Sequence, residues 1–350
     1  MRRTGLAVSA VAMALALLPS AALAGTTVYA GPPPGGGGLT KQFVKKYNPD
    51  VNAFFSQRVT IHAGSKVTFR INGFHTVDLP GKTGEDLPLL VPGATVTGVN
   101  DAAGSPFWFN GKVPSIGLNP QLFAASGPRV YNGTNRIDSG LASGPKAKPL
   151  VVQFTKPGVY KFYCDVHPGM VGYVVVKPKG AAIPTAAQAA AALKRQVTTA
   201  VTTLKALVNV KQSADTVHLG ESGPGGEELY DMFPATLSVN AGTVVTFEVS
   251  KDSRETHTVT FGPIPLLTTL AKGFQGAAFP AQGVYPSDPV QPLPISPTSH
   301  GDGFANLGAL DNDPNTTTIR PSGKIDFTTA GTYHFVCLIH PWMHGTIIVR

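Results

Sequence analysis

Phe154-Thr-Lys-Pro-Gly-Val-Tyr-Lys-Phe-Tyr-Cys164 recurs later in the chain as Phe327-Thr-Thr-Ala-Gly-Thr-Tyr-His-Phe-Val-Cys337. Tyr160, Phe162 and Cys164 alternate with polar positions, which is the period of a half-buried strand. Working outward, three further blocks repeat in the same order. Val59-Thr-Ile-His-Ala-Gly-Ser-Lys-Val-Thr-Phe69 returns as Leu237-Ser-Val-Asn-Ala-Gly-Thr-Val-Val-Thr-Phe247, an alternating hairpin around an Ala-Gly turn. Thr27-Val-Tyr-Ala-Gly31 returns as Thr216-Val-His-Leu-Gly220, and His75-Thr-Val77 as His257-Thr-Val259. Four ordered matches make the chain a tandem duplication. Short alternating strands bounded by turn residues imply an all-β fold of two Greek-key β-sandwich domains.

The 350 residues suit two domains, and 39 Gly with 31 Pro favour strands and turns over long helices. One helix is expected between the copies. Pro184 precedes the capping pattern Thr185-Ala-Ala-Gln188, and Leu193, Val197, Val201, Leu204 and Val208 form an apolar stripe. We therefore segment the chain as 25–180 for the first sandwich, 181–207 for a helical linker and 208–350 for the second. Long Gly/Pro/Asn-rich insertions, about 80–148 and 262–321, exceed ordinary loops and are expected to hold extra strands, covering loops or mobile segments.

Residues 1–24 read as a secretory signal peptide. Arg2 and Arg3 open it, an apolar run follows from Gly5 to Leu18, and Ala22-Leu23-Ala24 offers a small-x-small cleavage site. The run is too short for a membrane span, none of about 18 apolar residues follows it, and no Cys follows the cleavage site. Export to a periplasmic or extracellular space is expected. The formal charge of +8 divides unevenly. It is +9 over 25–180, +3 over 181–205 and −6 over 206–350, a pattern of partner proteins rather than of nucleic acid.

Two cysteines exclude a multi-bridge disulfide framework, a Cys-rich zinc module and a Cys-ligated iron–sulfur cluster. Each instead opens the spacing Cys-x2-His-x2-Met: Cys164-Asp-Val-His167-Pro-Gly-Met170 and Cys337-Leu-Ile-His340-Pro-Trp-Met343. With one upstream histidine each, His75 or His257, the two copies hold a thiolate, two imidazoles and a thioether. That is the donor set of a type 1 copper site, in which three strong ligands form a plane and Met lies on a long axial bond. Zinc seldom takes a thioether. Two copper ions per chain are expected, on His75, Cys164, His167 and Met170 and on His257, Cys337, His340 and Met343. His62, His218, His300, His334 and His344 have no matching histidine in the other copy and read as surface or packing residues.

On these motifs the chain resembles the cupredoxins, the plastocyanin and amicyanin family of blue copper proteins. The short Cys–His–Met loop is most similar to that of amicyanin. The Ala-Gly hairpin, the Gly-x-Tyr before each Cys and the Met-x-Gly after it (Met170-Val-Gly172, Met343-His-Gly345) add to the resemblance. Separations of 89 residues from His75 to Cys164 and 80 from His257 to Cys337 exceed those of compact members. The resemblance implies non-enzymatic, outer-sphere electron transfer with redox partner proteins. It also implies that His167 and His340 expose ring edges in apolar docking patches beside Pro168 and beside Pro341 and Trp342. Alternatives are a two-domain copper oxidase or nitrite reductase and a copper storage or delivery protein. Against the first, no His-x-His pair occurs and no His flanks either Cys; against the second, there are no Met- or His-rich clusters. A purely adhesive sandwich would leave both donor sets without purpose.

Overall fold

The computed structural model describes residues 26–35, 38–82, 84–141, 148–313 and 319–350. The export segment expected over 1–24 lies outside them. The protein is all-β, with two sandwiches joined by a helix. In the first half one sheet orders Phe54–Phe55, Thr27–Ala30, Lys66–Ile71, Leu150–Phe154 and Val130–Tyr131. The other orders Ile137–Asp138, Asp78–Leu79, Gly158–Tyr163, Val171–Lys177 and Arg58–His62. The second half repeats the scheme. Its sheets order Leu293–Ile295, Ser322–Phe327, Thr243–Val249, Thr216–Ser222, Glu227–Phe233 and Pro49–Val51, and Thr236–Val239, His344–Val349, Gly331–Val336, His257–Phe261 and Ala305–Leu310.

Matching sequence blocks occupy matching ladders. Val28 pairs with Phe69 in a parallel register, and Val217 pairs with Phe247 in the same way. Each sandwich closes on its own apolar core. Phe69 meets Phe162 edge-on at 5.1 Å between centroids, and Phe247 meets Phe335 at 5.3 Å. Such pairs contribute about 0.5–1.5 kcal/mol each beyond simple burial. The Met-x-Gly motif has its reason here. Phe162 lies across Gly172 and Phe335 across Gly345 on the paired strand, and a Cβ at either glycine would overlap the ring.

The helix Ala186–Leu207 is closed by a capping box: the Gln188 amide donates to Thr185 Oγ1 at 3.2 Å, and the Thr185 amide to Gln188 Oε1 at 2.8 Å. It buries Leu193, Ala200, Leu204 and Leu207 against Tyr29 and Phe55 of the first sandwich and Leu229 of the second. Val197 and Val208 of the expected stripe sit at its margin and Val201 is half-buried. The contact line runs through Ala200, whose small side chain lets the helix approach two sheets at once.

Three further devices tie the halves together. Pro49–Val51, within the first half in sequence, adds an edge strand to the second half's sheet by pairing with Glu227–Phe233. The two insertions pack on each other: Phe107 and Phe109 from the first join Leu267, Leu270, Phe274 and Phe304 from the second in one cluster. Trp108 Nε1 donates to the Pro286 carbonyl at 2.8 Å, and Tyr285 Oη to the Pro114 carbonyl at 2.5 Å. His300 of the second insertion lies 3.3 Å from Asp101 Oδ2 of the first. Where described, the insertions are thus an interface. Leu338, next to Cys337, belongs to the same cluster.

Candidate metal centre

Each Cys directly follows a strand and each Met directly precedes the return strand. Tyr163 pairs with Val171 across the turn, and Val336 with His344. Inside the turns the Cys164 amide donates to the Met170 carbonyl and the Met170 amide to the His167 carbonyl, both at 3.0 Å. Cys337, Met343 and His340 repeat these bonds at 3.0 and 2.8 Å. Three side chains are therefore delivered by one closed turn. The fourth comes from the neighbouring strand, since Asp78, just after His75, pairs with Tyr163, and Thr260, just after His257, pairs with Val336.

The donor atoms converge. Cys164 Sγ lies 3.8 Å from His75 Nδ1 and 3.4 Å from His167 Nδ1. Cys337 Sγ lies 3.9 Å from His257 Nδ1 and 3.7 Å from His340 Nδ1. Met170 and Met343 are fully buried at the ends of their turns. Both cysteines are free. The Thr76 and Thr258 amides each point at their thiol sulfur at 3.4 Å. Burial alone would push both thiols up, but the paired imidazoles hold Cys164 and Cys337 well below the ordinary thiol range. A thiolate is the form that binds metal.

Gly31 explains why the first block of the repeat ends in glycine. It has φ +80°, and a Cβ there would stand 2.8 Å from His75 Nε2. The ring packs against bare backbone and presents Nδ1, not Nε2, to the thiol. Two imidazole nitrogens, a thiolate and a buried thioether suit copper in this arrangement. These residues fit the metal that the spacing implies.

The surroundings of the histidines depart from expectation. His167 and His340 are buried, not exposed, because the two turns face each other across the domain interface. Between them stands Glu255, with Oε1 3.1 Å from His167 Nε2 and Oε2 3.6 Å from His340 Nε2. Asn52 Nδ2 donates to Oε1 at 2.8 Å and Tyr230 Oη at 2.6 Å. Burial would raise this carboxyl, yet His167 foremost, with His340 and Tyr230, holds it well below the usual carboxylate range. Sequence reading missed Glu255, Tyr230 and Asn52. One signal was available: two residues before the upstream His, the first copy has Gly73 and the second has Glu255.

A second asymmetry lies beside the first site. Asp78, Asp138 and Asp165 gather within 4.8 Å, and Arg136 pairs with Asp78. Burial raises all three carboxyls, and neighbouring carboxylates add to it for Asp78 and Asp165. The equivalent positions of the second copy are Thr260, Asn306 and Leu338. There Thr260 Oγ1 donates to Asn306 Oδ1 at 2.9 Å, and Asn306 Nδ2 donates to the Gln282, Gly283 and Tyr285 carbonyls. The unmatched histidines lie apart from both sites. His62 contacts the Ala181 carbonyl, His218 lies between Glu221 and Glu248, His300 between Asp101 and Asp288, His334 meets Thr346, and His344 the Trp342 carbonyl.

No family model and no curated relative matches the chain. Among solved structures, a reduced amicyanin variant is similar at 17% identity, over 41% of this chain and 89% of its own, with a TM-score of 0.22. Oxidised plastocyanin from Dryopteris crassirhizoma is similar at 22% identity, over 39% and 99%, with a TM-score of 0.22. A purple cupredoxin from Nitrosopumilus maritimus is similar at 16% identity, over 39% and 100%, with a TM-score of 0.21.

Proposed function

We propose that this protein is an exported, two-domain electron carrier with one type 1 copper site per domain, acting between redox partner proteins and catalysing no reaction of its own. The observation that carries this reading is the convergence, in each half, of one cysteine Sγ and two histidine Nδ1 atoms beside a buried methionine. His75, Cys164, His167 and Met170 would hold one ion, and His257, Cys337, His340 and Met343 the other. Bound copper would supply one-electron exchange between its two oxidation states.

The chain's part is to hold the donors still. The closed turn fixes Cys, His and Met together, and the threonine amides on the sulfurs stabilise thiolate charge. Thr76 adds a second lock: its Oγ1 accepts from the Asp165 amide at 2.8 Å, while Thr258 Oγ1 accepts from the Leu338 amide at 2.7 Å. A frame that resists rearrangement keeps the cost of each electron step small. Burial of every donor excludes water. With the imidazole edges turned inward, partners would approach elsewhere. Trp342 is 40% exposed and its ring lies 5.4 Å from that of His340, which makes it the natural contact for the second site.

Copper analysis with a visible spectrum tests the reading. Two equivalents and an intense blue colour are expected, whereas bound copper without colour would indicate storage or delivery. Oxygen or nitrite turnover without an added partner would indicate a two-domain copper enzyme. Detection of the chain in the cytoplasm with residues 1–24 retained would overturn the export assignment.

A further inference from the structure

One side chain outside both donor sets touches both. Glu255 is largely buried at the interface, its side chain 11% exposed, and turns one carboxylate oxygen toward the outward nitrogen of a candidate ligand histidine in each domain. We propose that Glu255 couples the two sites into one redox pair: it is a positioning residue that orients His167 and His340 together and sets the reduction potentials of both sites.

The argument is geometric and electrostatic. If Nδ1 of each imidazole takes the metal, Nε2 must carry the proton, and a carboxylate acceptor fixes both tautomer and ring plane. Most ligand histidines have an acceptor of their own. Here one carboxylate faces two histidines from different domains, 3.1 Å from His167 Nε2 and at a longer ion-pair distance of 3.6 Å from His340 Nε2, and it is held in place by two hydrogen-bond donors, Asn52 Nδ2 and Tyr230 Oη. Asn52 follows the strand Pro49–Val51, which the first half lends to the second half's sheet. Tyr230 lies in the strand paired with it, and its ring sits 5.0 Å from that of His340 at a tilt of 56°. The shared strand therefore also positions the shared carboxylate. One largely buried carboxylate close to both donor sets disfavours adding an electron to either of them. The first copy has Gly73 at the equivalent position, so one carboxylate does the work for two sites.

The inference rests on the copper reading, and the test separates the two. Midpoint potentials are measured by spectroelectrochemistry on copper-loaded Cys164→Ser, which keeps only the second site, and Cys337→Ser, which keeps only the first. Each is compared with and without Glu255→Gln. The amide keeps the shape and removes the charge, so both midpoints should rise, with the equilibrium constant for reduction growing by about tenfold or more at each site. A shift at one site only, or at neither, overturns the proposal while leaving the copper reading intact. Absence of the blue band from both single-cysteine proteins would instead defeat the copper reading. Should Glu255→Gln prevent folding, Tyr230→Phe provides the second arm. It removes one hydrogen bond from the carboxylate and leaves its charge less compensated, so both midpoints should fall. Unchanged midpoints in that variant would likewise contradict the proposal.

Discussion

The two halves carry the same donor frame in different electrostatic surroundings. Around the first, Asp78, Asp138 and Asp165 crowd together with one arginine. Around the second, Thr260 and Asn306 form a neutral network and Leu338 sits in the apolar cluster between the insertions. The first turn has Gly169 where the second has Trp342. The two copies share the candidate donors and differ in the charge and exposure around them. The two sites should differ in midpoint, because the carboxyls beside the first carry charge to a degree set by pH and the groups beside the second carry none.

The comparison breaks most visibly at the cysteines. Cys164→Ser and Cys337→Ser should each remove about half of the blue absorption of the copper-loaded protein, and the double variant all of it. If one substitution removes everything, the sites are not independent centres.

Next in size is the acidic triad, and it predicts a pH dependence. A carboxyl raised on folding binds its proton more tightly in the folded state. Its destabilising effect is absent below the ordinary carboxylate pKa and grows as pH climbs through the raised values. Thermal melts of the metal-free protein should therefore show stability falling from about pH 4 upward, by an amount on the order of a few kcal/mol. Asp78→Thr with Asp138→Asn, which imports the second copy's residues, should flatten that fall. A melting profile equally steep in the variant would remove the triad from the account. The same variant, loaded with copper, should narrow the gap between the two midpoints.

Gly172→Ala and Gly345→Ala sharpen the comparison from the other side. Each forces a methyl into a phenylalanine ring, so each should cost about 1–3 kcal/mol by denaturant unfolding. Similar losses are expected because the packing is the same in both halves. The smallest effect belongs to Trp342→Ala. It should leave colour and copper content unchanged while slowing reduction of the second site by a protein donor. An unchanged rate would place the contact elsewhere.

How far the sequence reached follows from the same contrast. Whatever the copies share was readable: the alternating strands, the Ala-Gly hairpins, and the Cys, His and Met positions, because each appears twice in one order. The helix was readable too, from the Thr185 to Gln188 cap, although its buried line passes through Ala200 and Leu207 instead of Val201 and Val208. Whatever joins the copies was not. Pro49–Val51 crosses to the other sheet, Phe107 meets Phe304, and Glu255 meets two histidines, and none of these has a counterpart in the repeat. The expectation of exposed histidine edges failed for that reason. It holds for a domain alone in solvent, whereas here each domain's site end is covered by the other domain.

The most direct test of the central claim is copper content measured together with the visible spectrum of the oxidised protein. Two coppers per chain with an intense blue band are expected. One copper, none, or two without colour would contradict the assignment of these eight residues to two type 1 sites.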